Sequence, residues 1–184
     1  RTFNYAEKAH EGQKRATGEG YIEHPLCTAS RLADLQLDAE TISAGLLHDV
    51  IEDTEVTKED LKKEFGANIA NMVEGVTKIT VLKNMSKEER HAESIRKVIL
   101  ASIKDIRVIL IKLADRAHNM STIDVFREEK RRRIASDALD IYAPIAHKLG
   151  IAKIKWELEE NAFRQLNPEA FSEIKSKLKL GQKY

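Results

Sequence analysis

The residues best equipped for chemistry lie in one run, His48-Asp49-Val50-Ile51-Glu52-Asp53-Thr54. Leu46 and Leu47 lead into it, so an apolar segment delivers a histidine and three carboxylates to what reads as the buried end of a helix. Unpaired charges in such a place cost several kcal/mol each. A metal ion is the most economical partner for them. Positions i and i+4 share a helix face, which sets Glu52 beside His48 and Asp53 beside Asp49. Adjacent His48 and Asp49 reach one ion only where a helix ends and the two side chains splay toward a common point. The run therefore reads as half of a metal site, with Glu52 and Asp53 just outside the ligand set. The alternative is a solvated helix end beside an ordinary core histidine.

Other residues can complete the set. His24 directly precedes Pro25, a residue suited to the first turn of a helix. The proline predicts an extended His24 at the helix entrance, where a structural role competes with a ligand role. Asp115 follows a nearly all-round apolar stretch from Val108, so its carboxylate is expected to be buried and paired. Arg116 is one candidate partner, and the proposed ion is the other. Two imidazoles and two carboxylates form a mixed N/O set that suits Mn²⁺, Fe²⁺, Zn²⁺ or Ni²⁺. Asn119 is i+4 from Asp115 and Thr122 is i+3 from Asn119, so these share a face, with His118 adding a further polar group. The run Gly12–Gly20 holds three glycines with Lys14 and Arg15. It reads as a flexible basic loop, either a connector or a place where backbone N–H groups and Arg15 approach a phosphate.

These residues need helices to hold them. Phe3, Ala6 and His10 mark a stripe over 1–11, and helices are predicted at about 25–36 and 39–51, the second capped by Asp38. Thr57-Lys58-Glu59-Asp60 resembles a capping box whose helix Gly66 closes. A helix follows over 67–82, then a loop at Asn84-Met85. A second capping box at Ser86–Glu89 opens a helix to about Ile103, and 78–90 is expected to be mobile. The apolar run from Val108 continues at helical spacing through Ile109, Leu113 and Ala117, which favours a central helix over a strand. Lys130–Arg133 reads as a solvated helix face. Ile134–Ala143 is amphipathic, and Pro144 marks a break. Gly150 ends a segment, 151–166 forms a helix, and Pro168 opens the last one. The expectation is an all-α protein of about nine or ten helices.

Composition agrees. With 184 residues, 42% hydrophobic and 33% charged, the chain can bury one sizeable core under a charged surface. A net charge of +1 gives no global pull toward nucleic acid or membrane. A single cysteine, Cys27, excludes an intramolecular disulfide and fits a reducing, cytoplasmic compartment. No apolar run approaches a membrane span, and no signal peptide is visible. The chain starts at Arg1 already in helical pattern and ends in a basic amphipathic tail, as expected of a piece of a longer protein.

The order His24, His48-Asp49, Asp115 on an all-α background resembles HD-type phosphohydrolases. The surrounding text narrows the resemblance: Arg15–Pro25, His48–Thr54, Lys112–Met120, Ile141–Ile151 and Lys155–Glu159. Together they resemble the N-terminal HD hydrolase domain of the bifunctional Rel/Spo (RSH) family, which makes and degrades the alarmones ppGpp and pppGpp. Single-domain alarmone hydrolases share the metal motifs but lack the Ile141–Glu159 text. The resemblance therefore implies one hydrolase domain over 1–184, with helices from about 151 leading toward a synthetase domain absent from this chain.

It also implies that His24, His48, Asp49 and Asp115 bind one Mn²⁺ and that Glu52 and Asp53 are the catalytic pair. Synthetase-only relatives carry a degraded motif, whereas all of these residues are intact here. Arg15 is implied to stack on guanine, with Thr17, Asn119 and Thr122 lining the nucleotide pocket. Ala16 and Ser121 depart from the family pattern, where a basic residue and an arginine are common, and remove positive charge near the nucleotide. The implied reaction is hydrolysis of the 3′-diphosphate to GDP or GTP plus pyrophosphate. A divalent metal lowers the pKa of water, and Glu52 and Asp53 handle protons. The implied partners are the guanine nucleotide and the synthetase and regulatory domains of a full-length chain, without membrane or nucleic acid. The competing expectations are an HD phosphohydrolase for another nucleotide and a catalytically silent nucleotide-binding module.

Overall fold

The computed structural model describes residues 1–80, 93, 96, 97, 100 and 104–181. These residues form helices, with one isolated antiparallel bridge between Lys14 and Gly20 and no strand among them. The expected all-α class is the one observed. The chain falls into two compact units, Arg1–His118 and Asn119–Tyr184, and the boundary lies within one helix.

In the first unit, α1 covers Thr2–Ala9, α2 Glu23–Asp34, α3 Ala39–Leu46, α4 Val50–Asp53, α5 Lys58–Phe65 and α6 Ala67–Thr80. Helix α7, Arg107–Ser121, starts in this unit and confirms the helical reading of the Val108 run. Its Val108, Ile109, Ile111, Leu113, Ala114 and Ala117 are buried, alongside Leu32, Leu47, Leu61, Met72 and Val73. Burying a side chain of this size stabilises the fold by about 1.5–3 kcal/mol. The expected capping box is present: Thr57 Oγ1 accepts from Asp60 N, and Asp60 Oδ2 accepts from Thr57 N. Gly66 closes α5 at φ 89°. Asp38 caps α3, accepting from Thr41 N at 3.1 Å. The loop and second capping box expected at 84–89 lie outside the described residues, as does most of the segment expected to be mobile.

Two expectations about helix ends are corrected. His24 is helical rather than extended, because α2 already begins at Glu23. Pro25 then still falls in the first turn, where its missing N–H deprives no carbonyl of a partner. The helix predicted over 39–51 stops at Leu46, and Leu47–Asp49 form a turn before α4. The stop frees the Gly45 carbonyl, which His48 Nδ1 takes up at 2.8 Å. Gly45 also lets α2 and α3 approach closely, since a Cβ there would overlap Leu32 Cδ1.

In the second unit, a 3₁₀ turn at Ile123–Val125 leads to α8, Glu128–Asp137. The break expected at Pro144 is absent. A π-helical turn, Ala138–Tyr142, runs directly into α9, Ala143–Lys148, with Pro144 in its first turn. The wider turn shifts the bonding pattern one residue back, so the proline's lost donor is absorbed without a gap. Helices α10, Ala152–Leu166, and α11, Pro168–Gly181, complete the unit. Ala135, Ala138, Ile141, Ala146, Ile154, Leu158 and Ala162 are buried here. Lys130, Arg132 and Arg133 are exposed, consistent with a solvated face. No described helix is long and apolar enough to cross a membrane.

Candidate metal centre

His24 reaches the site from the first turn of α2, His48 and Asp49 from the turn after α3, and Asp115 from the third turn of α7. The ligand-type atoms of His24, His48 and Asp49 all lie within 4.8 Å of one another. His48 Nε2 is 3.2 Å from His24 Nε2 and 3.1 Å from Asp49 Oδ1. His24 Nε2 is 3.4 Å from Asp49 Oδ2 and 3.3 Å from Asp115 Oδ1. Asp115 Oδ1 also approaches His48 Nε2 at 3.9 Å. His24, His48 and Asp115 are buried.

The partners of each ring fix its tautomer. The Gly45 carbonyl can only accept, so His48 Nδ1 carries the hydrogen and Nε2 presents a lone pair. His24 Nδ1 meets His118 Nδ1 at 2.6 Å, and Arg15 Nη1 meets the same His118 atom at 3.0 Å. A guanidinium only donates, so His118 Nδ1 accepts, His24 Nδ1 donates, and His24 Nε2 also presents a lone pair. The Nε2 atoms of His24 and His48 and an Asp49 oxygen thus gather within 4.8 Å of one another, and Asp115 Oδ1 adjoins them at 3.3 Å from His24 Nε2. This donor set fits a divalent cation.

The surrounding charges keep both carboxylates ionised. Burial pushes the Asp49 carboxyl up, but His48 and His24 outweigh it and hold it well below the usual range. Asp115 is likewise pushed up by burial and held well below that range by Lys112, His24, Arg116 and His48. Burial pulls His48 down, but Asp49 and Asp115 leave it raised. His118 is lowered to about 4 by burial and by the charges of His24, Arg15 and Arg31, so it stays neutral.

Lys112 was not singled out by sequence reasoning. Its Nζ lies 2.8 Å from Asp115 Oδ2, and both side chains are buried. It is the main partner of Asp115, ahead of Arg116, whose Nε is 3.8 Å away. The lysine occupies Oδ2 and leaves Oδ1 facing the histidines. A lysine three positions before an aspartate inside an apolar helix was the available signal.

Tyr21 was also missed. Its hydroxyl shares its one hydrogen between Asp49 Oδ2, at 2.9 Å, and Asp53 Oδ2. Its ring stacks on buried His10, with centroids 4.4 Å apart. Burial, then the Asp49 charge, raises the Tyr21 phenol well above its ordinary pKa. Gln13 Nε2 donates to the Asp53 carbonyl at 2.8 Å. Nothing local in the sequence marks Tyr21, because both of its partners lie on another element.

Glu52 and Asp53 sit on α4 with exposed side chains. Desolvation raises the Glu52 pKa; Lys112 opposes this, and Asp49 and Asp53 add to it. The basic run at 12–20 is a bonded turn rather than an open loop. Arg15 N donates to Glu19 O at 3.0 Å and Gly18 N to Arg15 O at 2.9 Å, with Gly18 at φ 90°. Thr17 Oγ1 donates to Glu19 Oε2 at 3.3 Å. Asn119 is the residue after His118 in α7, Thr122 follows the helix end, and both belong to the second unit.

The sequence model of the HD domain matches residues 2–152. A Vibrio cholerae protein named guanosine-3′,5′-bis(diphosphate) 3′-pyrophosphohydrolase is 52% identical over 178 residues, 97% of this chain and 25% of its own length. An Escherichia coli K12 protein named bifunctional (p)ppGpp synthase/hydrolase SpoT is 54% identical over 174 residues, 95% of this chain and 25% of its own. The chain thus spans about a quarter of the length of these curated relatives. A solved protein, described as a metazoan ortholog of SpoT that hydrolyzes ppGpp and plays a role in starvation responses, superposes with TM-score 0.65 at 29% identity. It covers 90% of this chain, and the match covers 93% of that protein.

Proposed function

The chain belongs to the HD-domain family, and on that premise we propose that it removes the 3′-diphosphate of ppGpp and pppGpp, giving GDP or GTP and pyrophosphate. The observation that carries this reading is the cluster of His24, His48 and Asp49 ligand-type atoms within 4.8 Å of one another, with Asp115 Oδ1 3.3 Å from His24 Nε2. These residues hold one Mn²⁺, for which the mixed N/O set is suited. When bound, the ion supplies Lewis-acid activation of water and neutralises phosphate charge.

The chain's own residues do the rest. Lys112 keeps Asp115 ionised and turned inward. Glu52 and Asp53, exposed on α4, take a proton from the attacking water and deliver one to the ribose 3′ oxygen. The water oxygen joins the phosphorus on that 3′ oxygen, the P–O3′ bond breaks, and the former 3′-diphosphate departs as pyrophosphate. Arg15, fixed in its turn, offers a planar guanidinium to the guanine base, as a lysine cannot do equally well. Thr17, Asn119 and Thr122 contribute polar contacts to the nucleotide. The relatives' names support the substrate and a synthetase region, and their length supports a chain that continues beyond this domain.

Product analysis tests this. With Mn²⁺ added, the protein is offered ppGpp, pppGpp, cyclic dinucleotides and deoxynucleoside triphosphates. Pyrophosphate release confined to ppGpp and pppGpp is expected. Turnover of another nucleotide instead, or binding without turnover, overturns the reading.

A further inference from the structure

We propose that His118 is a positioning residue that couples Arg15 to the metal ligand His24 through one shared lone pair. The proposal rests on the metal and nucleotide reading above. His118 is buried, with its ring 4.9 Å from that of His24 between centroids. A neutral imidazole has a single in-plane lone pair. Here the atom that carries it, Nδ1, faces two donors at once, His24 Nδ1 at 2.6 Å and Arg15 Nη1 at 3.0 Å.

The sharing has a direction. Hydrogen bonding to the distal nitrogen of a metal-bound histidine fixes its tautomer and raises the basicity of the ligating nitrogen. While Arg15 draws on the same lone pair, His24 receives less of it. When Arg15 turns away to lie on a guanine base, its share of that lone pair passes to His24, and His24 Nε2 becomes the better ligand. Nucleotide occupancy then tightens the metal, and the metal tightens the nucleotide by the same factor. Arg15 thereby reports an occupied base site to an atom buried on α2.

The test needs no nucleotide. Mn²⁺ affinity is measured by competition with a chelating fluorophore, with thermal unfolding of the metal-free protein as a folding control. His118→Ala removes the acceptor and is expected to weaken Mn²⁺ about 10–100-fold. His118→Asn places an amide oxygen near the Nδ1 position and is expected to restore most of that loss. A merely structural role for the ring would not produce this rescue.

Arg15→Ala is expected to tighten Mn²⁺ severalfold. Losing a positive charge contributes to that gain in any background, so the informative quantity is the double-mutant comparison. The gain from Arg15→Ala should be larger with His118 present than in the His118→Ala background. Equal gains in both backgrounds, or wild-type Mn²⁺ affinity in folded His118→Ala, overturn the proposal. If His118→Ala does not fold, an unchanged or weakened affinity in Arg15→Ala overturns it alone. Absence of Mn²⁺ binding by the wild-type protein would instead refute the metal reading itself, a result distinct from all of these.

Discussion

His48 and Asp49 sit with side chains 0% and 16% exposed, whereas Glu52 and Asp53, three and four positions later, are open to solvent. The buried floor has its atoms committed. His48 Nδ1 is tied to the end of α3, His24 Nδ1 to His118, and Asp115 Oδ2 to Lys112. The rim carries one prominent tether, the Tyr21 hydroxyl, which spans Asp49 and Asp53. A group with fixed partners in a low-dielectric pocket is suited to hold an ion. A carboxylate at the solvent edge is suited to exchange protons. On the proposed reading one acidic motif has two jobs, and variants at different depths should fail in different ways.

The largest effect is expected at the floor. Asp115→Ala removes an acceptor and leaves Lys112 as a buried cation without its carboxylate, a change that costs about 3–5 kcal/mol in comparable buried pairs. It should lose stoichiometric Mn²⁺ and all turnover, as should His48→Ala. Elemental analysis of purified protein provides the check; full metal content in Asp115→Ala would remove that residue from the ligand set.

At the rim, Glu52→Gln and Asp53→Asn keep size and hydrogen-bonding capacity but cannot take a proton. Each should retain Mn²⁺ and ppGpp affinity while kcat falls by about 10²–10⁴-fold. Calorimetry and pyrophosphate release separate the two properties. Loss of metal in these variants would merge rim and floor, and wild-type rates would discard the proton-transfer role.

Tyr21→Phe tests the tether between the tiers. Deleting a hydrogen bond to charged groups costs about 1.5–3 kcal/mol, so a fall in kcat of roughly 10–100-fold is expected with metal content kept. If Mn²⁺ affinity falls as far as kcat, the hydroxyl serves Asp49 more than Asp53.

The cluster of His24, His48 and Asp49 was legible because motif text carries their types, and the pairing of Asp115 because a buried carboxylate on α7 demanded a partner. The Thr57 box and the Asp38 cap were legible because capping acts over three residues. The end of α3 at Leu46 was not, since the apolar pattern continues through Leu47 and Val50 while the turn serves His48. Lys112 was hidden by its apolar neighbours. Tyr21 and His118 act across elements far apart in sequence, and local spacing does not register such contacts. The π turn before Pro144 escaped because periodicity does not distinguish a widened turn from a break.

The smallest expected effect lies at the far end of the helix that delivers the floor. Asp38 accepts hydrogen bonds from Thr41 Oγ1 at 2.6 Å and Thr41 N at 3.1 Å, and Arg107 lies 3.6 Å away. The Thr41 hydroxyl holds its carboxyl below the usual range; burial opposes this, and the Thr41 N–H and Arg107 add to the lowering. A carboxyl with a lowered folded pKa contributes stability above its unfolded pKa, about 3.9, and loses it as pH falls through the folded value. Asn caps about as well as Asp but does not titrate, so Asp38→Asn should match the wild type within about 0.5 kcal/mol at pH 7. The wild type's additional loss of stability on acidification should then be absent from the variant, read as a shift of the difference between their unfolding midpoints in the variant's favour below about pH 4. Asp38→Ala should cost about 1 kcal/mol at neutral pH. Both variants should keep full Mn²⁺ at pH 7, because the floor is fixed by Gly45, His118 and Lys112 rather than by the opposite end of α3. Metal loss from folded Asp38→Ala would mean that the floor depends on the whole length of that helix, and the division between a self-contained floor and a separable rim would fail.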